Sequence, residues 1–162
     1  MEVAKNLFET LKQLCLILNK SDIYYCLIGG LAVGMVSRPR ATEDIDLLVL
    51  LNEQDRGSIV NLLRDEFELI QDDNVMNFKD TTILRVVIRE SHKKDKSLVI
   101  VDFIFANNAI YKKAVYNPIK LIVDGITIPV ASPENLIETK KLSNHPQDLL
   151  DIQAIREEYK NL

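Results

Sequence analysis

Val3, Leu7, Leu11, Leu14 and Leu18 recur every three or four residues, the spacing of one helix face. The chain therefore opens on an amphipathic helix, which Asn19, Ser21 and Asp22 bring to an end. Residues 23–28 (IYYCLI) read as a buried strand, stopped by Gly29-Gly30. Residues 31–36 are small and apolar, with Gly34 four positions after Gly30, and suit a short helix packed closely on a sheet. Pro39 bars its continuation. A second strand is predicted over 45–51, then a helix capped by Asn52 or Asp55 with Ile59, Leu62 and Leu63 on its buried face, ending near Phe67. A short strand over 67–70 is followed by a polar stretch, 71–80, to which the pattern assigns no element.

The second half alternates more clearly. Residues 82–89 and 98–105 read as two strands of an antiparallel hairpin, joined by a charged connector over 90–97 with a mobile tip. Residues 107–115 read as helical. Residues 121–123 and 126–130 flank Asp124-Gly125, a strong type I′ turn signal because both central residues of that turn need positive φ. Ser132-Pro133 starts a helix through about residue 142, with Ser as N-cap, Pro in the first turn and Glu134 favourable to the helix dipole. His145-Pro146 then breaks the chain before a last helix carrying Leu149, Leu150, Ile152 and Ile155. No repeat or linker interrupts the pattern. The expectation is one α+β domain over 1–162, a mixed sheet flanked by helices, with its core over about 23–131 and C-terminal helices over about 133–160.

Composition narrows the class. The 162 residues are 47% hydrophobic and 27% charged, which is ordinary globular composition, and Trp is absent, so Leu, Ile and Val must fill the core. No apolar run approaches the ~20 residues of a membrane span. The N-terminal segment lacks the basic start and small-residue cleavage site of a secretion signal. Cys15 and Cys26 lie in apolar surroundings and read as buried hydrophobes in a reducing cytoplasm. A net charge of -4 argues against a large sequence-independent DNA-binding surface.

The chemistry concentrates in GGLAVGMVSRPRATEDID, residues 29–46. Alternate residues of a strand share a face, so Asp44 and Asp46 project together while Ile45 points into the core. Two carboxylates so close repel one another, and a hard divalent cation such as Mg²⁺ relieves that repulsion. The preceding strand ends at two glycines and enters a helix, which presents backbone N–H groups to a phosphate. Arg38 and Arg40, between the two elements, can steady phosphate oxygens. Either motif alone has a plain reading, a turn for the glycines and a solvated cap for the aspartates; their order on strand, turn, helix and strand favours function. The segment is neither a Walker loop, since no GK[ST] follows, nor a dinucleotide fingerprint, since GxGxxG is missing. Asp102, inside SLVIVDFIFA, is a costly place for an ionised carboxylate unless it is paired or metal-bound. Beside Asp44 and Asp46 it would complete a three-carboxylate site fit for two-metal chemistry; otherwise it is a strand-edge Asp paired with a nearby lysine.

The run Gly29, Gly30, Ala32, Arg40, Thr42, Asp44 and Asp46 resembles the signature of the DNA-polymerase-β-like nucleotidyltransferase superfamily. Ser132, Pro133, Leu136, Lys140, Asp148, Asp151 and Ile152 are similar to recurrent positions of its small, toxin-type (abortive-infection) branch, and the resemblance spans about residues 24–156. It implies transfer of a nucleoside monophosphate from an NTP to an acceptor hydroxyl, with release of pyrophosphate. It implies that Mg²⁺ (or Mn²⁺) is held by Asp44, Asp46 and Asp102, that Asp102 orients or deprotonates the acceptor through a second metal, and that Gly29, Gly30, Arg40, Thr42 and Lys140 bind the nucleotide, ATP among the candidates. The acceptor stays open between an RNA end, a protein hydroxyl and a small molecule such as an aminoglycoside or lincosamide. The acidic charge disfavours RNA slightly, and the lack of Trp near the glycine turn disfavours antibiotics slightly. A cognate antitoxin or other partner protein would fit that branch. The alternative is a non-catalytic interaction module of a toxin–antitoxin or regulatory pair, against which the intact carboxylates speak.

Overall fold

The computed structural model describes residues 2–90 and 97–162, with side chains described from residue 6 onward. The chain order is α1 (Glu2–Asn19), β1 (Tyr25–Ile28), α2 (Gly29–Val36), β2 (Asp44–Val49), a 3₁₀ turn (Glu53–Asp55), α3 (Arg56–Arg64), β3 (Phe67–Asn77), β4 (Thr82–Glu90), β5 (Val99–Phe105), α4 (Ala109–Tyr116), β6 (Ile119–Val123), β7 (Ile126–Val130), α5 (Pro133–Ser143) and α6 (Pro146–Glu158). Among the described residues the strands form one mixed sheet in the order β3-β4-β5-β2-β1-β7-β6. β2 lies at its centre, antiparallel to β1 and parallel to β5.

The helices fall into two groups. α1 and α3 pack against each other, while α2, α4, α5 and α6 make a second cluster around the end of β1. Of the predicted face of α1, Leu7, Leu11, Leu14 and Leu18 are in the core alongside Cys15 and Cys26, while the Val3 side chain lies outside the described residues. The β4–β5 hairpin is antiparallel as its alternation demands, pairing Ile83 with Ile104 and Ile88 with Val99, and the middle of its connector lies outside the described residues. Asp124 and Gly125 take φ of 52° and 77°, the left-handed pair that the β6–β7 turn requires. Ser132 caps α5 by accepting from the Asn135 N–H, and Asn108 caps α4 by accepting from the Tyr111 N–H.

Two expectations are corrected. The polar stretch after residue 70 belongs to β3, which runs the full length Phe67–Asn77 as an edge strand against β4. Its pairing slips between Leu69 and Gln71 and again between Gln71 and Asn74. Those irregularities break the period-2 pattern, and an edge strand wetted on one side has little apolar sequence to show. The second correction is in α6. Leu149 and Leu150 are 67% and 55% exposed, and the buried face is Asp148, Asp151, Ile152, Ala154 and Ile155. Two acids take the buried positions instead of two leucines because the buried Lys140 and the partly buried Arg40 meet them there. Leu149→Gln is therefore expected to change unfolding free energy by less than about 0.5 kcal/mol in a denaturant titration, as a surface exchange does.

Candidate active site: three aspartates beneath a cleft

Strand register assembles the site. Asp46 on β2 stands directly opposite Asp102 on β5, and Asp102 opposite Arg85 on β4. Asp44, two residues before Asp46, shares its face. One carboxylate oxygen from each of Asp44, Asp46 and Asp102 lies within 4.8 Å of the others. Such a set of hard oxygens suits a Mg²⁺ or Mn²⁺ ion, which wants carboxylate donors about 2.1 Å from its centre. Without a cation the cluster is self-repelling. Burial, followed by the charges of Asp44 and Asp102, pushes the Asp46 carboxyl up to about 7, against the opposing pull of Lys140 and Arg85.

Arg85 answers part of that charge. Its Nε and Nη2 donate to the two oxygens of Asp102, each at 2.8 Å. The sequence offered two readings of Asp102, a metal cluster or an ion pair. The structure places it in both settings, with an arginine from the adjacent strand in place of the expected lysine. Arg85 was not singled out from sequence. Its only signal was a charge interrupting the apolar alternation of TILRVVIRE, and its meaning depends on a register that the sequence does not state.

Above the cluster opens a cleft of about 760 Å³, of a size that takes a nucleotide. Gly29, Gly30, Arg40, Thr42, Asp44, Asp46 and Lys140 all line it, and so do Arg85, Tyr111 and the turn from Phe78 to Thr81. Arg38 does not; it is exposed and lies 3.7 Å from Glu157. The glycine turn is shaped by what touches it. Gly29 has φ +73°, and a Cβ there would lie 2.1 Å from Asp46 Oδ2. A Cβ on Gly30 would press on the Arg40 guanidinium and the Thr42 side chain at 2.9 Å. At Gly34 the nearest atom would be 3.8 Å away, so that glycine is not needed for space. Because α2 begins at Gly29, directly after β1 ends at Ile28 opposite Asp46, its free N–H groups lie at the same end of the sheet as the carboxylates.

These distances separate the three glycines. Gly29→Ala should lose about 1–2 kcal/mol of stability from left-handed strain alone. By displacing Asp46 it should also weaken Mn²⁺ binding by roughly tenfold or more. Gly30→Val should weaken NTP binding by pushing Arg40 and Thr42 aside. Gly34→Ala, inside a helix, should be neutral or stabilise by up to about 1 kcal/mol. Denaturant melts and calorimetric titrations of the three variants check the ranking, and equal NTP affinity in Gly30→Val and wild type would remove that turn from the site.

Lys140 forms the side wall. Only 6% exposed, it sits 3.1 Å from Asp148 and 2.7 Å from Asp151, and Arg40 Nε lies 3.1 Å from the other oxygen of Asp151. Two buried acids on α6 thus meet one cation from α5 and one from the segment before β2. Burial would raise the Asp148 carboxyl, but hydrogen bonds from the Ser143 hydroxyl, the His145 N–H and Lys140 hold it below its ordinary value. Lys141, one residue on, points to solvent and pairs with Glu138 at 2.9 Å.

A central Asp-x-Asp strand, a third Asp on its parallel neighbour and a glycine turn leading into a helix above them define a protein of the nucleotidyltransferase fold. Solved structures agree. A nucleotidyltransferase-like antigenic protein from Paracoccidioides brasiliensis superposes with TM-score 0.67 at 21% identity, covering 94% of this chain and 76% of that one. A nucleotidyltransferase-fold protein from Thermotoga maritima gives 0.62 at 12% identity, covering 99% and 96%. ANT(2")-Ia, solved in complex with adenylyl-2"-tobramycin, gives 0.52 at 10% identity, covering 94% and 88%. No curated protein matches the chain in sequence. The family model described as nucleotidyl transferase AbiEii toxin, type IV toxin–antitoxin system, matches residues 14–161. The chain belongs to the AbiEii nucleotidyltransferase toxin family.

Proposed function

We propose that this protein, acting as one α+β domain in the cytoplasm, transfers a nucleoside monophosphate from an NTP to an acceptor hydroxyl. The convergence of Asp44, Asp46 and Asp102 beneath a nucleotide-sized cleft carries the reading. Asp44 and Asp46 would hold a Mg²⁺ or Mn²⁺ ion, and Asp102, buried beside them on the neighbouring strand, completes the carboxylate cluster beneath the acceptor hydroxyl. The cation, when bound, neutralises phosphate charge and polarises the α-phosphorus. The glycine turn and the start of α2 cradle the triphosphate, while Thr42, Arg40 and Lys140 border it. A bond forms from the acceptor oxygen to the α-phosphorus as the α–β bridging bond breaks. Pyrophosphate leaves, and the hydroxyl proton passes to the carboxylate cluster or to water. Positioning and charge neutralisation supply most of the catalysis in such a reaction.

The family also supports a cognate antitoxin as partner. Among the described residues no helix is long and apolar enough to cross a membrane. The acceptor class is found by incubating the protein with each labelled NTP, Mg²⁺ and a mixed RNA and protein extract, with a small-molecule fraction in parallel. Transfer of label to a single class names it. Absence of transfer from every NTP to every fraction overturns the reading in favour of a non-catalytic module.

A further inference from the structure

The row Asp46, Asp102, Arg85 crosses three adjacent strands on one face of the sheet. In it Asp102 is 5% exposed and does not line the cleft, whereas Arg85 lines it with its side chain about one-third exposed. The guanidinium fork meets both carboxylate oxygens of Asp102 at 2.8 Å, the planar bidentate geometry in which arginine binds carboxylate most strongly. Those two bonds engage both oxygens of Asp102, including the one that lies within 4.8 Å of the Asp44 and Asp46 oxygens. A second divalent ion shared between Asp46 and Asp102 would stand against a fixed positive charge, and taking Asp102 for itself would mean displacing that fork.

We infer that Arg85 stands in for a second divalent cation, so that the site holds one ion, on Asp44 and Asp46, with Asp102 neutralised by the protein. Charge balance agrees, since three carboxylates are offset by one guanidinium and one divalent ion. This inference rests on the nucleotidyl-transfer reading and sharpens it. Arg85 is then a positioning residue that acts through Asp102.

The test counts ions. Mn²⁺ is titrated into the full chain, alone and with a non-hydrolysable NTP analogue, and free Mn²⁺ is followed by electron paramagnetic resonance. Wild type should saturate at one Mn²⁺ per chain. Asp102→Asn should bind that ion within about threefold of wild-type affinity, because Asp102 is not its ligand, whereas loss of a true ligand costs far more. Arg85→Gln should admit a second Mn²⁺, and Arg85→Lys, which keeps the charge, should stay at one. Two ions on wild type, a tenfold or greater loss in Asp102→Asn, or a single ion in a folded Arg85→Gln would each overturn the inference while leaving nucleotidyl transfer standing. Should Arg85→Gln not fold, the wild-type count and the Asp102→Asn affinity still decide. If wild type binds no Mn²⁺ under either condition, the transfer reading falls and this inference with it.

Discussion

Asp46→Asn is expected to abolish nucleotide transfer and, without metal at pH 8, to make the protein more stable than wild type. Burial and the charges of Asp44 and Asp102 raise the folded-state pKa of Asp46 to about 7, against 3.8 for the ordinary side chain. Between those values the folded protein binds more protons than the unfolded chain, so stability falls as pH rises from about 4 to about 7. Above 7 the full penalty is present. A three-unit difference corresponds to about 4 kcal/mol, an upper bound, since solvent and relaxation reduce it. Asparagine keeps the shape that fills the space beside Gly29 and removes the charge. Urea melts of both proteins at pH 5 and pH 8 should therefore show a gap of roughly 2–4 kcal/mol at pH 8 that shrinks to less than about half of that at pH 5. Metal binding needs the ionised carboxylate, so the wild-type Mg²⁺ affinity should climb up to about tenfold per unit below pH 7 and level off above it. A variant less stable at pH 8, or a metal affinity flat between pH 5 and 7, would contradict the electrostatic account of the cluster.

Lys140→Met should produce the largest loss of stability of any single change at the site, about 3–5 kcal/mol. Methionine fills the volume of the lysine stem, so the effect is one of charge and not of a cavity. What remains is Asp148 and Asp151, both buried, with Arg40 as their closest remaining cation at 3.1 Å from Asp151. Breaking a buried pair from one side leaves an uncompensated charge, which is why the cost exceeds the net worth of the pair. In a chain of this length that is a drop of roughly 10 °C or more in Tm. Lys141→Ala removes a solvent-exposed pair with Glu138 and should cost less than about 0.5 kcal/mol. The double variant Lys140→Met, Asp148→Asn should recover part of the loss. If Lys140→Met melts with Lys141→Ala, the α5–α6 contact is not held by this network.

The parts of this structure that local rules govern were legible beforehand. The Asp-x-Asp pair declares its geometry through strand alternation. The Asp124-Gly125 turn and the Ser132-Pro133 helix start follow from backbone preferences that neighbours do not override. The adjacency of β2 and β5, which the three-carboxylate reading of Asp102 requires, is observed in the pairing of Asp46 with Asp102. What escaped depends on partners distant in sequence. Arg85 is unremarkable until β4 is laid beside β5. Sequence reads α6 by Leu149, Leu150, Ile152 and Ile155 and misses the buried acids, because an acid that will meet Lys140 and Arg40 looks the same in a string as one that will meet water. β3 was cut short since its pairing slips twice and its outer edge is solvated, so alternation fails there.

The central position of β2 has a consequence for exchange with solvent. Strands on both sides hydrogen-bond to it, and Ile45, Leu47, Leu48 and Val49 are fully buried. Its amides have no route to deuterium short of opening the sheet, so they should exchange at the rate of global unfolding, while amides of the edge strands β3 and β6 exchange by local fraying. Asp44 and Asp46, the proposed metal ligands, are thus carried on the segment expected to open last. A cation bound there stabilises the whole sheet instead of a local loop, and its binding should be recorded as slowed exchange throughout β1, β2 and β5, far beyond the residues that touch it.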